Sequence, residues 1–68
     1  MDQLDIINRI LIERKRQDIL HPNNKQSDYL AILVEEVGEI AAAMQGDGIL
    51  IDEIVQLAAV CIRWLEEQ

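Results

Sequence analysis

The stretch from Ser27 to Gln45 combines a strongly apolar helical pattern with three carboxylates near its centre. Its aliphatic residues recur at three- and four-residue spacings, as in a helix that buries one side: Leu30, Leu33, Val34, Val37, Ile40, Ala41 and Met44. At about 100° per residue, Glu36 falls about 40° from Ile40, at the edge of this apolar stripe, and Glu39 lies about 60° farther round. We therefore predict a helix in which Glu36 and Glu39 line a wall of the core.

Two further helices are predicted, one on each side of this stretch. The first covers about residues 2–20, and its apolar face is formed by Leu4, Ile7, Ile10 and Leu11. Further along, the same angular sector carries Arg14, Gln17 and Asp18, so this end of the helix either faces a polar group or extends past the core into solvent. Together with helices over about 27–45 and 49–67, the pattern predicts an all-α chain of three helices.

Short connections separate the predicted helices. The segment after Leu20 contains Pro22 and two asparagines, which favour a turn, and Ser27 or Asp28 is the expected N-cap of the second helix. Gly46-Asp47-Gly48 forms the second connection, because glycine tolerates a positive φ. So short a link predicts that the second and third helices are antiparallel neighbours.

The third helix is apolar over most of its circumference. Its polar residues occupy one sector about 100° wide: Asp52, Glu53, Gln56, Arg63 and Glu67. Such a sector is typical of a solvated helix face. The antiparallel hairpin offers a second interpretation, because the pair Glu36 and Glu39 then faces the third helix. Glu53 and Gln56 form a matching pair there, with the same i, i+3 spacing that brings side chains together.

The size and composition of the chain favour self-association. A chain of 68 residues buries only about 60% of the surface that its unfolded form exposes. Half of the residues are hydrophobic, but there is no Phe, one Tyr and one Trp, so the core depends on small aliphatic side chains. One cysteine permits no internal disulfide, and one Cys with one His makes no convincing zinc cluster. We therefore expect a homodimer or homotetramer.

The charge distribution separates the two parts of the chain. A formal charge of −7 argues against nucleic acid as the main partner. Residues 1–26 carry five basic and four acidic residues, whereas residues 27–68 carry one basic and nine acidic residues. This segregation suits acidic helices that hold a cation beside a basic segment that meets a phosphate, although it also suits a surface charged for solubility.

The sequence gives a simple expectation for location. No signal-peptide pattern and no run of about 18 apolar residues is present, so no membrane partner is expected. A lone free cysteine fits a reducing compartment, and the cytoplasm is the expected location.

The acidic pairs predict a site for a hard divalent cation. Mg²⁺ takes oxygen ligands, usually a few carboxylates completed by water and substrate phosphates. Without an ion, a carboxylate cluster repels itself and its pKa values rise. Acidic i, i+3 pairs also occur on ordinary helix surfaces, so the pattern leaves both interpretations open.

The acidic motifs also resemble those of a known family. Glu35-Glu36-x-x-Glu39, followed after a short turn by Glu53-x-x-Gln56, resembles the Glu-Glu-x-x-Glu and Glu-x-x-Asp motifs of MazG-like nucleoside triphosphate pyrophosphohydrolases. This all-α group also includes dimeric dUTPases. The first helix contains Glu13-Arg14-x-Arg16-Gln17-Asp18, which looks like the family's first-helix signature, and the resemblance therefore extends over nearly the whole chain.

The resemblance implies hydrolysis of a nucleoside triphosphate between the α- and β-phosphates, with Mg²⁺ or Mn²⁺. By position, it implies that Glu36, Glu39 and Glu53 are metal ligands and that Gln56 takes the place of the fourth. Glu35 would support the site from outside or orient a water. Our own candidates for contact with phosphates or base are basic and amide side chains of the first part of the chain: Arg14, Arg16, Gln17 and Lys25.

Two departures from the family pattern keep other functions open. Gln56 stands where the family has aspartate and offers only a neutral amide oxygen, although Asp52 lies one turn before it. The chain is also shorter than typical members and has no obvious fourth helix, which predicts that a second subunit completes the site. The alternatives are a non-catalytic helical oligomerisation or nucleotide-sensing module and a purely structural three-helix oligomer.

Overall fold

The computed structural model describes residues 1–68 and contains three α-helices. They are α1 (Gln3–Leu20), α2 (Gln26–Met44) and α3 (Leu50–Glu66). The all-α prediction is confirmed, and every predicted helix end lies within one residue of its observed position. None of the three helices combines the length and apolar character that a membrane span requires.

Carboxylates stabilise the first turns of α1 and α2 in different ways. Asp2 precedes α1, and its Oδ1 accepts a hydrogen bond from the backbone N–H of Asp5 at 2.9 Å. Lys25 precedes α2, so the prediction of Ser27 or Asp28 as its N-cap is wrong. Asp28 instead lies inside the first turn, where its Oδ2 accepts from the backbone N–H of Lys25 at 2.8 Å. The carboxylate that stabilises the start of α2 therefore comes from Asp28, within the first turn, and not from the N-cap position.

The central helix of the fold is α3. Both α1 and α2 pack closely against it, whereas the backbones of α1 and α2 do not approach each other. The turn between α2 and α3 contains two glycines with positive φ, Gly46 at 95° and Gly48 at 118°. This turn makes α2 and α3 antiparallel neighbours, as predicted.

The core of the chain is small and partly polar. Only six residues are buried: Gln17, Tyr29, Ala43, Ala59, Val60 and Arg63. The prediction that the aliphatic stripe of the second helix is buried is wrong for the single chain, since Leu30 and Met44 are 59% and 70% exposed. The side of α2 that faces α3 carries Tyr29, Glu36 and Ala43, because Tyr29 and Ala43 are buried and Glu36 is half-buried. The predicted apolar face of α1 is also largely exposed, and only its Ile10 is half-buried.

Arg63 of α3 connects all three helices. Its side chain is 5% exposed, its Nε donates to Asp18 of α1 at 3.1 Å, and its Nη2 donates to the backbone carbonyl of His21 at 2.7 Å. The guanidinium also lies 5.8 Å from the centre of the Tyr29 ring of α2, a favourable cation–π arrangement. Tyr29 in turn stacks on Trp64 of α3 with ring centres 6.0 Å apart. The polar end of the first helix therefore faces a polar group and does not simply extend into solvent.

Glycine substitutions test the turn between α2 and α3. A residue with a Cβ at Gly48 is strained by a φ of 118°, and we expect Gly48→Ala to lower the free energy of unfolding by about 1–3 kcal/mol. Gly38 lies inside α2, and no neighbouring atom lies within 4 Å of the position that a Cβ would take there. Gly38→Ala should therefore raise the same quantity by about 0.5–1 kcal/mol. Urea denaturation followed by circular dichroism measures both, and equal effects of the two variants would contradict the strained turn.

Substitution of Arg63 tests its connecting role. Lysine keeps the charge but cannot donate to Asp18 and His21 in the same forked geometry, so Arg63→Lys should lower the free energy of unfolding by about 2–3 kcal/mol. Arg9 is exposed and makes no ion pair, so Arg9→Lys is the matched control and should change stability by less than about 0.5 kcal/mol. The role is refuted if the two lysine variants unfold at the same urea concentration.

Candidate metal centre

Three carboxylates from α2 and α3 meet beside the glycine turn. One oxygen from each of Glu36, Glu39 and Glu53 lies within 4.8 Å of the others. Glu36 and Glu39 are neighbours on α2 because of their i, i+3 spacing, and the short turn brings the first turn of α3, with Glu53, alongside them. Glu36 and Glu53 are half-buried, whereas Glu39 is exposed.

Two of these carboxylates contain an oxygen with no partner. The Oε2 atoms of Glu36 and Glu53 are buried and make no hydrogen bond. A buried polar atom without a partner costs roughly 1–3 kcal/mol, and more when it carries charge. A hard divalent cation takes carboxylate oxygens as ligands, so a bound Mg²⁺ would satisfy both atoms. The residues present therefore fit such an ion.

The pKa values of Glu36 and Glu53 are raised, because no positive charge offsets their burial and their mutual repulsion. Burial raises the pKa of Glu36 from an ordinary value of 4.5 to about 7, and the carboxylates of Glu39, Glu53 and Glu13 act in the same direction. Burial and the adjacent Glu39 also raise the pKa of Glu53. A positive charge at this position favours the ionised forms and opposes both shifts.

The α2 carboxylates Glu36 and Glu39 line a cavity of about 300 Å³ between α1, α2 and α3, here called the groove. Its lining contains acidic, basic and amide side chains, among them Glu13, Arg16 and Gln17 of α1, Glu35, Glu36 and Glu39 of α2, and Gln56 and Arg63 of α3. Arg16 and Arg63 bring positive charge next to the acidic residues. The groove therefore offers groups of both charges to a bound molecule.

Gln17 presents a fixed hydrogen-bond acceptor within the walls of the groove. The residue is 6% exposed, and its Nε2 donates to Glu13 Oε2 at 2.9 Å and to the backbone carbonyl of Gln56 at 3.1 Å. Because both partners can only accept, the amide cannot be reversed without losing both bonds. Its Oε1 is buried without a partner, so the amide is oriented to accept from an N–H or O–H of a bound molecule.

The predicted site residues divide into two groups. Besides the acidic pair of α2, Glu35, Arg16, Gln17 and Gln56 all line the groove, and Glu53 joins the carboxylate cluster without lining the groove. Arg14 and Lys25 do not, because Arg14 donates to Glu66 and Asp18, and Lys25 precedes α2 with an exposed side chain.

Asp52 does not join the carboxylate cluster. It is exposed and lines a neighbouring cavity with Arg9 and Ile12. The structure therefore gives no support to Asp52 as a replacement for the aspartate that Gln56 lacks.

Sequence reasoning did not assign two of the charged residues that line the groove, Glu13 and Arg63. Glu13 has only 12% of its side chain exposed and is bonded by Arg16 at 2.7 Å and by Gln17. Its i, i+3 and i, i+4 spacings to these partners were a readable signal. Arg63 fell in the polar sector of α3 that is typical of a solvated face, and no local pattern distinguishes it from an exposed arginine.

Comparison of the chain with family models, curated proteins and solved structures found no match.

The raised pKa of Glu36 predicts how stability varies with pH in metal-free buffer. A carboxyl with a pKa of about 7 in the folded state and an ordinary value of 4.5 binds its proton preferentially when folded. Stability is therefore gained as the pH falls through 7, and is lost as it rises. We expect the melting temperature in EDTA to be several degrees higher at a pH of about 5.5 than at about 8.

Isosteric variants identify the group responsible for this dependence. Glu36→Gln removes the titrating carboxyl and should flatten the profile between these two pH values. Glu67→Gln removes an exposed carboxyl at the end of α3, away from the cluster, and should leave the profile unchanged. Equal dependence of the melting temperature on pH in the two variants would show that Glu36 does not cause it.

Proposed function

We propose that this protein is a Mg²⁺-dependent nucleoside triphosphate pyrophosphohydrolase that releases a nucleoside monophosphate and pyrophosphate. The observation that carries the proposal is the pair of buried carboxylate oxygens without partners, in Glu36 and Glu53, beside Glu39. These three residues would hold the ion, with Mn²⁺ as a substitute, and Gln56 would offer an amide oxygen in the fourth position. We further propose that the protein is cytoplasmic and works as a homodimer or homotetramer.

The other side chains of the groove supply what a triphosphate needs. When bound, Mg²⁺ supplies positive charge that polarises a phosphoryl oxygen and activates a water. The Nη1 atoms of Arg16 and Arg63 make no hydrogen bond within the protein and are available to donate to phosphate oxygens. Glu35 is an exposed carboxylate on the groove lining, where it can orient a water or accept its proton. Gln17 Oε1 can accept from the sugar or base.

Pyrophosphate release from a panel of ribo- and deoxyribonucleoside triphosphates tests the proposal. We expect release with Mg²⁺ or Mn²⁺ and none in EDTA. Glu39→Gln keeps the size of the side chain but removes a ligand charge, and should lower the rate at least ~100-fold. Glu67→Gln, outside the groove, is the matched control and should keep the parent rate.

One observation favours a non-catalytic, nucleotide-sensing module as a second candidate. The neutral Gln56 leaves the cluster with three carboxylates where the family pattern has four acidic residues. In that case nucleotides with Mg²⁺ raise the melting temperature without turnover, since a ligand that binds only the folded state stabilises it. A parent protein that releases no pyrophosphate at high concentration would exclude the enzyme, and gain of release in Gln56→Asp would identify the missing charge as the reason.

A further inference from the structure

The single chain exposes more surface than its mass predicts. A folded monomer of 7.8 kDa is expected to expose about 4400 Å², whereas this chain exposes 4920 Å². Seventeen large hydrophobic residues are among those exposed. Scattered exposed aliphatic residues are normal, but contiguous ones mark an interaction surface. Whether these residues form such a surface therefore depends on whether they lie next to each other.

Many of these residues share the side of the protein opposite the groove. On each helix they lie about 120° to 180° around the axis from a residue that lines the groove, namely Arg16 of α1, Glu35 of α2 and Gln56 of α3. We call this surface the apolar face, and its most exposed members, each 44–71% exposed, are Leu4, Ile7, Leu11, Leu30, Val37, Met44, Ile51, Ile54 and Leu65.

The apolar face is continuous across the three helices. Between α1 and α3 a cavity of about 160 Å³ is lined entirely by hydrophobic residues, including Ile10 and Ile54. Between α2 and α3 a second cavity, of about 450 Å³, is lined by Leu33, Cys61 and Leu65 together with Trp64 and polar residues at its end. Both hollows can receive side chains from a partner. At one margin of the face, Arg14 is neutralised by Glu66 and Asp18 and leaves no unpaired charge.

The protein is large enough to offer the contact area that a stable dimer needs. The protein measures 32 × 26 Å across and 19 Å in its thinnest direction. A surface that spans its two longer directions has an area of the same order as the ~800 Å² that each partner buries in a standard interface. A two-fold contact pairs the same surface of both copies, and aliphatic side chains are chemically compatible with each other across such a contact.

The charges favour a second copy in one particular orientation. The chain carries a formal charge of −7, and Glu35, Glu36 and Glu39 line the groove on the far side from the apolar face. Contact through the apolar faces places the two acidic grooves on opposite outer surfaces, separated by the thickness of both protomers. With 19 Å for each protomer, the separation exceeds the Debye length of about 8 Å at physiological salt, and the repulsion is screened.

We propose that two copies of this chain associate back to back through the apolar face and leave both grooves open to solvent. Each protomer then holds Glu36, Glu39 and Glu53 itself. This arrangement differs from the sequence-based expectation that a second subunit completes the site. The pairing does not depend on the proposed reaction, because the interface and the groove share no residue.

Aspartate substitutions locate the interface. Light scattering after size exclusion should give the parent about twice its monomer mass of 7.8 kDa. Ile54→Asp and Val37→Asp place a charge within the apolar face and should weaken dimerisation at least ~100-fold, since each dimer contains the change twice. Ile19 is 80% exposed on α1 and lies outside the apolar face. Ile19→Asp is therefore the matched control and should remain dimeric.

The lone cysteine gives a second measurement that needs no variant. Cys61 is half-buried in a cavity of the apolar face, so a dimer protects its thiol. Its reaction with a thiol reagent such as DTNB should become faster when the parent is diluted from about 200 to about 1 μM, as mass action dissociates the dimer. A monomeric parent at the higher concentration would overturn the proposal, and so would an assembly that survives both aspartate variants. A Cys61 rate that is independent of dilution and equal to that of monomeric Ile54→Asp would also overturn it, because the thiol would then have no protection to lose.

A binding measurement separates this proposal from the proposed function. Mn²⁺ binding, followed by electron paramagnetic resonance, reports on the groove, whereas the mass reports on the apolar face. We expect folded, monomeric Ile54→Asp to retain the parent affinity for Mn²⁺. Loss of Mn²⁺ binding on dissociation would overturn back-to-back pairing with an open groove, while a dimeric parent that binds no Mn²⁺ would overturn only the metal site.

Discussion

The buried guanidinium of Arg63 is the interaction on which the arrangement of the three helices depends. Because α1 and α2 do not approach each other through their backbones, their relative position is set by α3. Arg63 bonds α1 through Asp18 and the following connector through His21, and its guanidinium lies against Tyr29 of α2. A buried charge without partners is far more costly than one that is fully bonded, so this residue strongly favours one arrangement of the helices. The groove is the space that this arrangement leaves between them.

The isolated chain leaves two kinds of surface unsatisfied, and they lie on opposite sides. In the carboxylate cluster, buried oxygens of Glu36 and Glu53 have no partner, and the pKa of Glu36 is raised. On the other side, Ile54, Val37 and their neighbours expose aliphatic surface. In the two proposals above, a cation would satisfy the first and a second copy of the chain would cover the second. Both would stabilise a protein with only six buried residues, because each binds the folded state.

Local sequence patterns were sufficient to predict where the helices lie and which carboxylates form the cluster. Helical periodicity and two glycines placed the helix ends within one residue, and the spacing of Glu36 and Glu39 put both on one side of α2. The N-cap of α2 was wrong because the Asp28 carboxylate acts from inside the first turn. The burial of the apolar stripe was wrong for a different reason. Periodicity identifies which residues share a side of a helix, but it does not say whether a neighbour from the same chain covers that side.

What remained was decided by contacts between residues far apart in the chain. Arg63 and Asp18 are separated by 45 positions and Gln17 and Gln56 by 39, and no local pattern reports such pairs. Arg63 is buried, and not simply one charge in a polar sector, because α1 packs on α3. The same packing leaves Gln17 Oε1 buried without a partner. The proximity of the carboxylates of α2 and α3 could be predicted because one short turn joins their helices. The groove also needs α1, whose position follows from tertiary contacts and not from a short connection.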